Sequence, residues 1–225
     1  MNTLSKSVFA VTALVLSQLA LPAWAAKEDA TVRLTAETPK SDLNIKLVDG
    51  EITIESSAGN EVVLEASGRL DRSETKELIT LKKSGNDVTF KQEENTDLKT
   101  VKIQIPTSFK GEIAIKTVSG NLQLKQIAAK ELEVETVSGA VAGEVTTPEI
   151  KVKSVSGKVD LKNSMAAETK VKTVSGAVNL KMAAGGKYKI RMKSVSGNAE
   201  SRLGSDSKAK QEVSVQTVSG DIVVE

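Results

Sequence analysis

The stretch Lys116-Thr117-Val118-Ser119-Gly120-Asn121-Leu122-Gln123-Leu124 decides the fold, because its central tetrapeptide is written again and again along the chain. Thr-Val-Ser-Gly recurs at residues 136–139, 173–176 and 217–220, and Ser-Val-Ser-Gly at 154–157 and 194–197. A catalytic loop occurs once. A tetrapeptide repeated this often is architecture, and its spacing says which kind.

The glycines of the motif fall at 120, 139, 157, 176, 197 and 220, separated by 19, 18, 19, 21 and 23 residues, the spacing of solenoid coils. The flanks alternate strictly between apolar and polar. Before each motif stand Ile113 and Ile115, Leu132 and Val134, Ile150 and Val152, Ile190 and Met192, or Val213 and Val215. After it come Leu122 and Leu124, Val159 and Leu161, Val178 and Leu180, or Ile222 and Val224. Period two means strand. The parity changes at the motif: the inward set runs 113, 115, 117 and then 118, 120, 122, 124, so the slip is expected between Thr117 and Val118. A one-residue slip turns every later side chain to the wrong face unless the chain bends there. Gly120, Gly139, Gly157, Gly176, Gly197 and Gly220 are therefore expected at structural corners, where glycine tolerates unusual backbone angles and close approach.

This assigns the six serines of the motif a structural role, as a stacked column of hydroxyls closing the corner hydrogen bonds. A nucleophile needs one activated copy beside a base, and the chain has no His and no Cys. Length variation is confined to the arms between coils, which bring Ile127, Val145, Met165, Met182 and Leu203. These residues are expected to plug the third side of each coil.

The N-terminal half carries a worn form of the same pattern. Leu43, Ile45 and Leu47 precede Val48, Gly50, Ile52 and Ile54, so residues 47–54 parallel 117–124, and Gly68 lies 18 residues after Gly50. Leu78 to Phe90 reads as two strands joined around Ser84-Gly85-Asn86-Asp87, and residues 91–99 read as a solvated polar connection. No linker composition interrupts residues 26–225. They are expected to form one domain, with degenerate coils over 26–110 and regular coils over 111–225.

Residues 1–25 have the layout of a secretory signal peptide: Lys6, an apolar run from Val8 to Leu21, then Pro22 and Ala23-Trp24-Ala25 as the cleavage site. The apolar run is short for a membrane span. With no Cys there is no lipoprotein anchor and no disulfide, so the expected location is periplasmic or secreted. The chain carries 31 Lys plus Arg against 29 Asp plus Glu, and cleavage removes only Lys6 from this balance. Such neutrality argues against a nucleic-acid partner. Cleavage also removes Trp24 and Phe9 and leaves Phe90, Phe109 and Tyr188 as the aromatic content, so the core must be built from Val, Ile, Leu and Ala.

The run VKIQIPTSFKGEIAIKTVSGNLQL, residues 101–124, with the repeats that follow it, resembles the bacterial putative-adhesin family, a domain of unknown function with an x-Val-x-Val-x-Pro strand and Val-Ser-Gly coils. The resemblance extends over roughly residues 42–225. It implies an all-β, single-stranded right-handed β-solenoid (β-helix) in a cell-envelope protein. It implies neither a catalytic residue nor a demonstrated adhesive activity.

On this reading the protein is a non-enzymatic structural or adhesin-like binding module without a cofactor. The alternative is a β-helical polysaccharide lyase or hydrolase. That would need a non-repeated cluster of acid, base and arginine with aromatic sugar platforms, and none stands out. Calcium lacks its nonapeptide and zinc its usual ligands. One outward face is conspicuous: Lys151 and Lys153, Lys170 and Lys172, and Lys189, Arg191 and Lys193 are expected on three neighbouring strands, as a candidate site for an anionic glycan or lipid headgroup. The preceding coil presents Glu131, Glu133 and Glu135 at its margin. The chain stops at Asp221-Ile222-Val223-Val224-Glu225, half a coil past its last corner, and this end is expected to be an open edge for self-association or a partner strand.

Overall fold

The computed structural model describes residues 28–71, 77–165 and 167–225. The proposed signal peptide lies outside them. The described residues hold strands and turns and no helix. In the N-terminal part these are β1 (Glu28–Glu37), β2 (Asp42–Lys46), β3 (Glu51–Ser57), β4 (Glu61–Leu70), β5 (Ile79–Ser84), β6 (Asp87–Gln92) and β7 (Thr96–Pro106). From there the strands come in pairs around a corner: β8 (Glu112–Thr117) with β9 (Asn121–Ala128), β10 (Glu131–Ser138) with β11 (Val141–Thr146), and β12 (Glu149–Ser156) with β13 (Val159–Asn163). The series ends with β14 (Glu168–Ser175) and β15 (Val178–Lys181), β16 (Tyr188–Ser196) and β17 (Ala199–Ser201), then β18 (Gln211–Ser219) and β19 (Ile222–Val224).

Each coil places one strand in each of two long sheets. The ten-stranded sheet runs β1-β4-β7-β3-β9-β11-β13-β15-β19-β17, and the nine-stranded sheet runs β16-β18-β14-β12-β10-β8-β2-β6-β5. Coil-to-coil pairing is parallel and in register, as in Val134 beside Val152 and Val152 beside Val171. A parallel ladder stacks equivalent positions of the repeat, so the alternation of each coil becomes a continuous inward column. Leu132, Val134, Ile150, Val152, Val171, Val213 and Val215 are all at most 2% exposed. Phe90, Phe109 and Tyr188 are also buried. The Tyr188 hydroxyl donates to the carbonyl of Ala183 at 3.3 Å, and burial raises its pKa.

The corners explain the glycines. Gly139, Gly157, Gly176, Gly197 and Gly220 have φ between 135° and 149°. A Cβ on Gly157 would run into the carbonyl oxygen of Gly139, and one on Gly176 into that of Gly157. The ladder continues through these corners, because the amide of Gly157 donates to Ser175 O at 3.1 Å and that of Gly176 to Ser219 O at 3.0 Å. Both the backbone angle and the spacing between coils therefore require glycine. Gly120 meets the same close approach from Gly50 O.

The phase slip is real but wider than the alternation suggests. Val118 and Ser119 both face solvent, and the inward set resumes at Gly120. A corner of two outward residues changes parity just as a one-residue slip does, and it exposes the valine of every motif. The serines stack on the outside. Ser119 Oγ donates to Val48 O at 3.2 Å, whereas the later corners are closed by backbone amides, joined at Gly220 O by the Ser194 hydroxyl at 3.1 Å.

The order of stacking departs from the order of the chain at both ends. β18 lies between β14 and β16, and β19 between β15 and β17, so the last coil in sequence is the last but one in space. Ile222 and Val224 are buried, and Asp221 to Glu225 is therefore not an open edge. The terminal coil is β16–β17. The arm at 202–210 folds back over its start, with Asp206 N donating to Tyr188 O at 2.8 Å and Ile190 N donating to Ser205 Oγ at 3.1 Å. At the other end β2–β3 lies between β6–β7 and β8–β9.

The N-terminal region is only partly made of worn coils. β4 pairs antiparallel with β1 and β7, and Gly68 sits at a bulge within β4 rather than at a coil corner. β5 and β6 form the expected hairpin, with Ser84 opposite Asp87. In the polar stretch 91–99, Gln92 is buried: its side-chain oxygen accepts from Val48 N at 2.7 Å and its amide donates to Asp49 Oδ1 at 2.8 Å. Among the arms, Ile127, Val145 and Met182 plug the coil as expected, Leu203 packs against the core half-buried, and Met165 is exposed. Ala167 is buried beyond Met165, and the Asn163 amide donates to Thr147 O at 2.8 Å.

Candidate functional site: the outward face of the nine-stranded sheet

Parallel register turns the outward positions of this sheet into rows that cross it from strand to strand. Nearest the corners the row reads Lys91, Lys46, Lys116, Glu135, Lys153, Lys172, Gln216, Lys193. The next row inward along the strands reads Thr89, Asn44, Ala114, Glu133, Lys151, Lys170, Ser214, Arg191. At the strand starts stand Asp42, Glu112, Glu131, Glu149, Glu168 and Glu212. The face is thus acidic where the strands begin and basic where they reach the corner.

The expected patch of seven cations is divided. Lys151 and Lys153 on β12 adjoin Lys170 and Lys172 on β14 as expected. Lys189, Arg191 and Lys193 do not adjoin them, because β18 intervenes with Glu212, Ser214 and Gln216. Glu212 lies 3.6 Å from Lys189 and 3.4 Å from Arg191. Lys151 contacts Glu131 and Glu149, each at 2.7 Å, and these hydrogen bonds push its pKa up, Glu131 foremost. Lys153 contacts Glu135 at 2.6 Å and Glu133 at 3.1 Å, which raise its pKa, Glu135 foremost. Glu135 is held below the usual carboxylate range, first by Lys116 and then by Lys153. Lys170, Lys172 and Lys193 have no ion pair among the described residues, and the same is true of Lys46 and Lys91. The uncompensated charge therefore lies mainly in the row beside the corners. Lys46, Lys91 and Lys116 belong to this row but sit in or beside the degenerate region, and only the strand order brings them into line with Lys153 and Lys172.

Beyond that row stands a column of exposed valines, one per corner: Val48, Val118, Val137, Val155, Val174, Val218 and Val195 in spatial order. They are 46–50% exposed, and Val195 on the terminal coil is 72% exposed. The tetrapeptide held the signal for this ridge in plain view, but the assumed inward phase of Val118 hid it.

A cavity of about 550 Å3 on the outer face of the other sheet is lined by Thr31, Val32, Arg33, Glu65, Ala66, Ser67, Thr100 and Lys102. Its charged groups are engaged with one another or nearby, Arg33 with Glu65 at 2.9 Å and Lys102 with Glu55 at 2.8 Å. Among the described residues no three acidic side chains converge as metal ligands would.

A family model described as Toastrack DUF4097 matches residues 14–225. No curated protein matches the chain. Among solved structures, a putative cell adhesion protein from Clostridium sporogenes aligns with a TM-score of 0.53 at 14% identity, covering 88% of this chain and 99% of that one. A putative adhesin from Bacteroides fragilis aligns with a TM-score of 0.41 at 14% identity, over 87% of this chain and 97% of that one. The likeness to the Clostridium sporogenes protein, at this identity, is one of fold alone.

Proposed function

Given that the chain belongs to the Toastrack DUF4097 family, we propose that it is an exported, non-enzymatic, adhesin-like binding module of the bacterial cell envelope, whose nine-stranded face contacts anionic glycan by charge. The observation that carries this reading is the unequal neutralisation of the face. Lys151, Lys153, Lys189 and Arg191 are engaged by glutamates, while Lys170, Lys172 and Lys193 are left for a ligand. Export is supported by the layout of residues 1–25, and the names of the similar structures point to the cell surface. Right-handed winding accords with the general handedness of parallel crossovers. The absence of His and Cys from the sequence and the lysine partners of the face carboxylates speak against catalysis.

Retention on dextran sulfate tests the reading. The triple variant Lys170→Gln, Lys172→Gln, Lys193→Gln should bind at least about tenfold more weakly than the wild type at low salt, and added salt should reproduce the loss. Equal retention of both proteins would overturn it.

A further inference from the structure

The ridge and the lysine row beside it are built from one local pattern. Lys46, Lys116, Lys153, Lys172 and Lys193 each stand two residues before a ridge valine, facing solvent on the strand that runs into the valine's corner. Stacking at ~4.8 Å per strand draws the valines into a straight line of roughly 29 Å. The line of valines therefore has along one side a row that is cationic except at Glu135 and Gln216, which precede Val137 and Val218, and along the other, from Val118 onward, the small hydroxyls of Ser119, Ser138, Ser156, Ser175, Ser196 and Ser219. Soluble proteins seldom expose a contiguous apolar strip without a partner for it.

Shape and charge select that partner. The ridge is convex and one residue wide. At about half exposure its valines fall short of the ~800 Å2 per partner that a stable protein interface buries, so a second rigid copy would make only a line contact. A fluid bilayer conforms to a line. Its phosphates can meet the lysine row while the valines enter the boundary between headgroups and acyl chains, with the lysine stems lying along the apolar surface. Valine is short, so insertion is shallow and neutral lipid alone holds the ridge weakly. Anionic lipid supplies the second attraction.

We propose that the corner from Val48 to Val195, with its lysine row, docks the protein lengthwise on an anionic lipid bilayer. This site adjoins the glycan-binding face proposed above and shares Lys172 and Lys193 with it, but it depends on the valines, which the glycan reading does not use. Co-sedimentation of the processed protein with vesicles of phosphatidylcholine and phosphatidylglycerol at 3:1, and with vesicles of phosphatidylcholine alone, tests it. The wild type should bind the anionic vesicles at least tenfold more tightly than the neutral ones. The variant Val137→Thr, Val155→Thr, Val174→Thr, Val218→Thr keeps β-branched residues at exposed positions and should fold. It should lose at least tenfold in vesicle binding and retain dextran sulfate binding unchanged. Should that variant melt early, the single variant Val174→Thr, with an expected two- to threefold loss, replaces it. Vesicle binding indifferent to the valines, or equal on both vesicle types, would overturn the proposal. So would a dimer in sedimentation velocity that the valine variant abolishes, since the ridge would then belong to a second copy. Loss of dextran sulfate binding in the lysine variant alone bears on the glycan reading and leaves this one to the vesicles.

Discussion

The amide of Gly220 donates to the carbonyl of Ser196 at 2.9 Å, so the last corner of the chain hydrogen-bonds to the corner that precedes it in sequence while resting on Gly176, two corners earlier. The coil that ends the chain is thereby held between two others. It is a keystone rather than an edge, and several consequences can be measured.

Ile222 is 1% exposed between β15 and β17. Ile222→Ala should lower stability by about 2–5 kcal/mol, the cost of emptying a buried site. Urea denaturation reads this directly. A change below about 0.5 kcal/mol would mean that the C-terminal strand is peripheral after all.

At Gly157, with φ of 145° and Gly139 O against its Cβ position, even Gly157→Ala should cost more than the ~1 kcal/mol of a typical substitution. Gly204 has open space around it, and Gly204→Ala should stay within about 0.5 kcal/mol. Comparing the two midpoints in urea separates the steric requirement of the corner from the general effect of adding a methyl group.

The capping arm predicts a local effect. Ser205→Ala removes the acceptor of the Ile190 amide, a hydrogen bond of about 0.5–1.5 kcal/mol. Hydrogen exchange at Ile190 should then quicken by roughly threefold to tenfold, while Val152 and Val171 in the middle of the stack keep their protection. Uniform acceleration would point instead to global destabilisation.

The ion pairs of the basic face set a pH window. Glu135 has its pKa lowered by Lys116 and Lys153, so its contribution is present above the ordinary value of 4.5 and is lost as pH falls through the lower folded value. Lys153 has its pKa raised by Glu135 and Glu133, so its contribution is present below 10.5 and is lost as pH rises through the higher folded value. Glu135→Gln should therefore lower Tm modestly at pH 7, and the difference should shrink as pH falls below 4.5. A Tm difference that persists undiminished at pH 2 would show that the pair is not its cause.

Much of this fold was legible in the chain because a stacked coil is a local object. Period-two alternation determined which residues are buried, as at Leu132, Val134, Ile150 and Val152, since a strand has only two faces. The repeated glycine determined where the chain turns, since no other residue tolerates both the backbone angle and the neighbouring carbonyl. The β5–β6 hairpin was announced by its turn residues. The lysines of β12 and β14 were correctly placed side by side because their coils are consecutive both in the chain and in space.

Tertiary structure decided what equivalence left open. Coils that share one tetrapeptide and one phase offer nearly the same ladder to any neighbour, so local pattern does not specify which stacks on which. The difference is made by the arms: residues 182–187 carry the chain past one level to β16, and residues 202–210 return it, so that β18 with Glu212 and Gln216 enters the gap. That insertion divided the basic face, buried Ile222 and Val224, and made β16–β17 the true end. The outward turn of Val118 was likewise beyond the alternation, because a corner of one outward residue and a corner of two change parity alike. Sequence by itself determined the coil; only the packing of coil on coil, where backbone carbonyl meets glycine and one apolar column closes against the next, determined their order and the ridge they leave exposed.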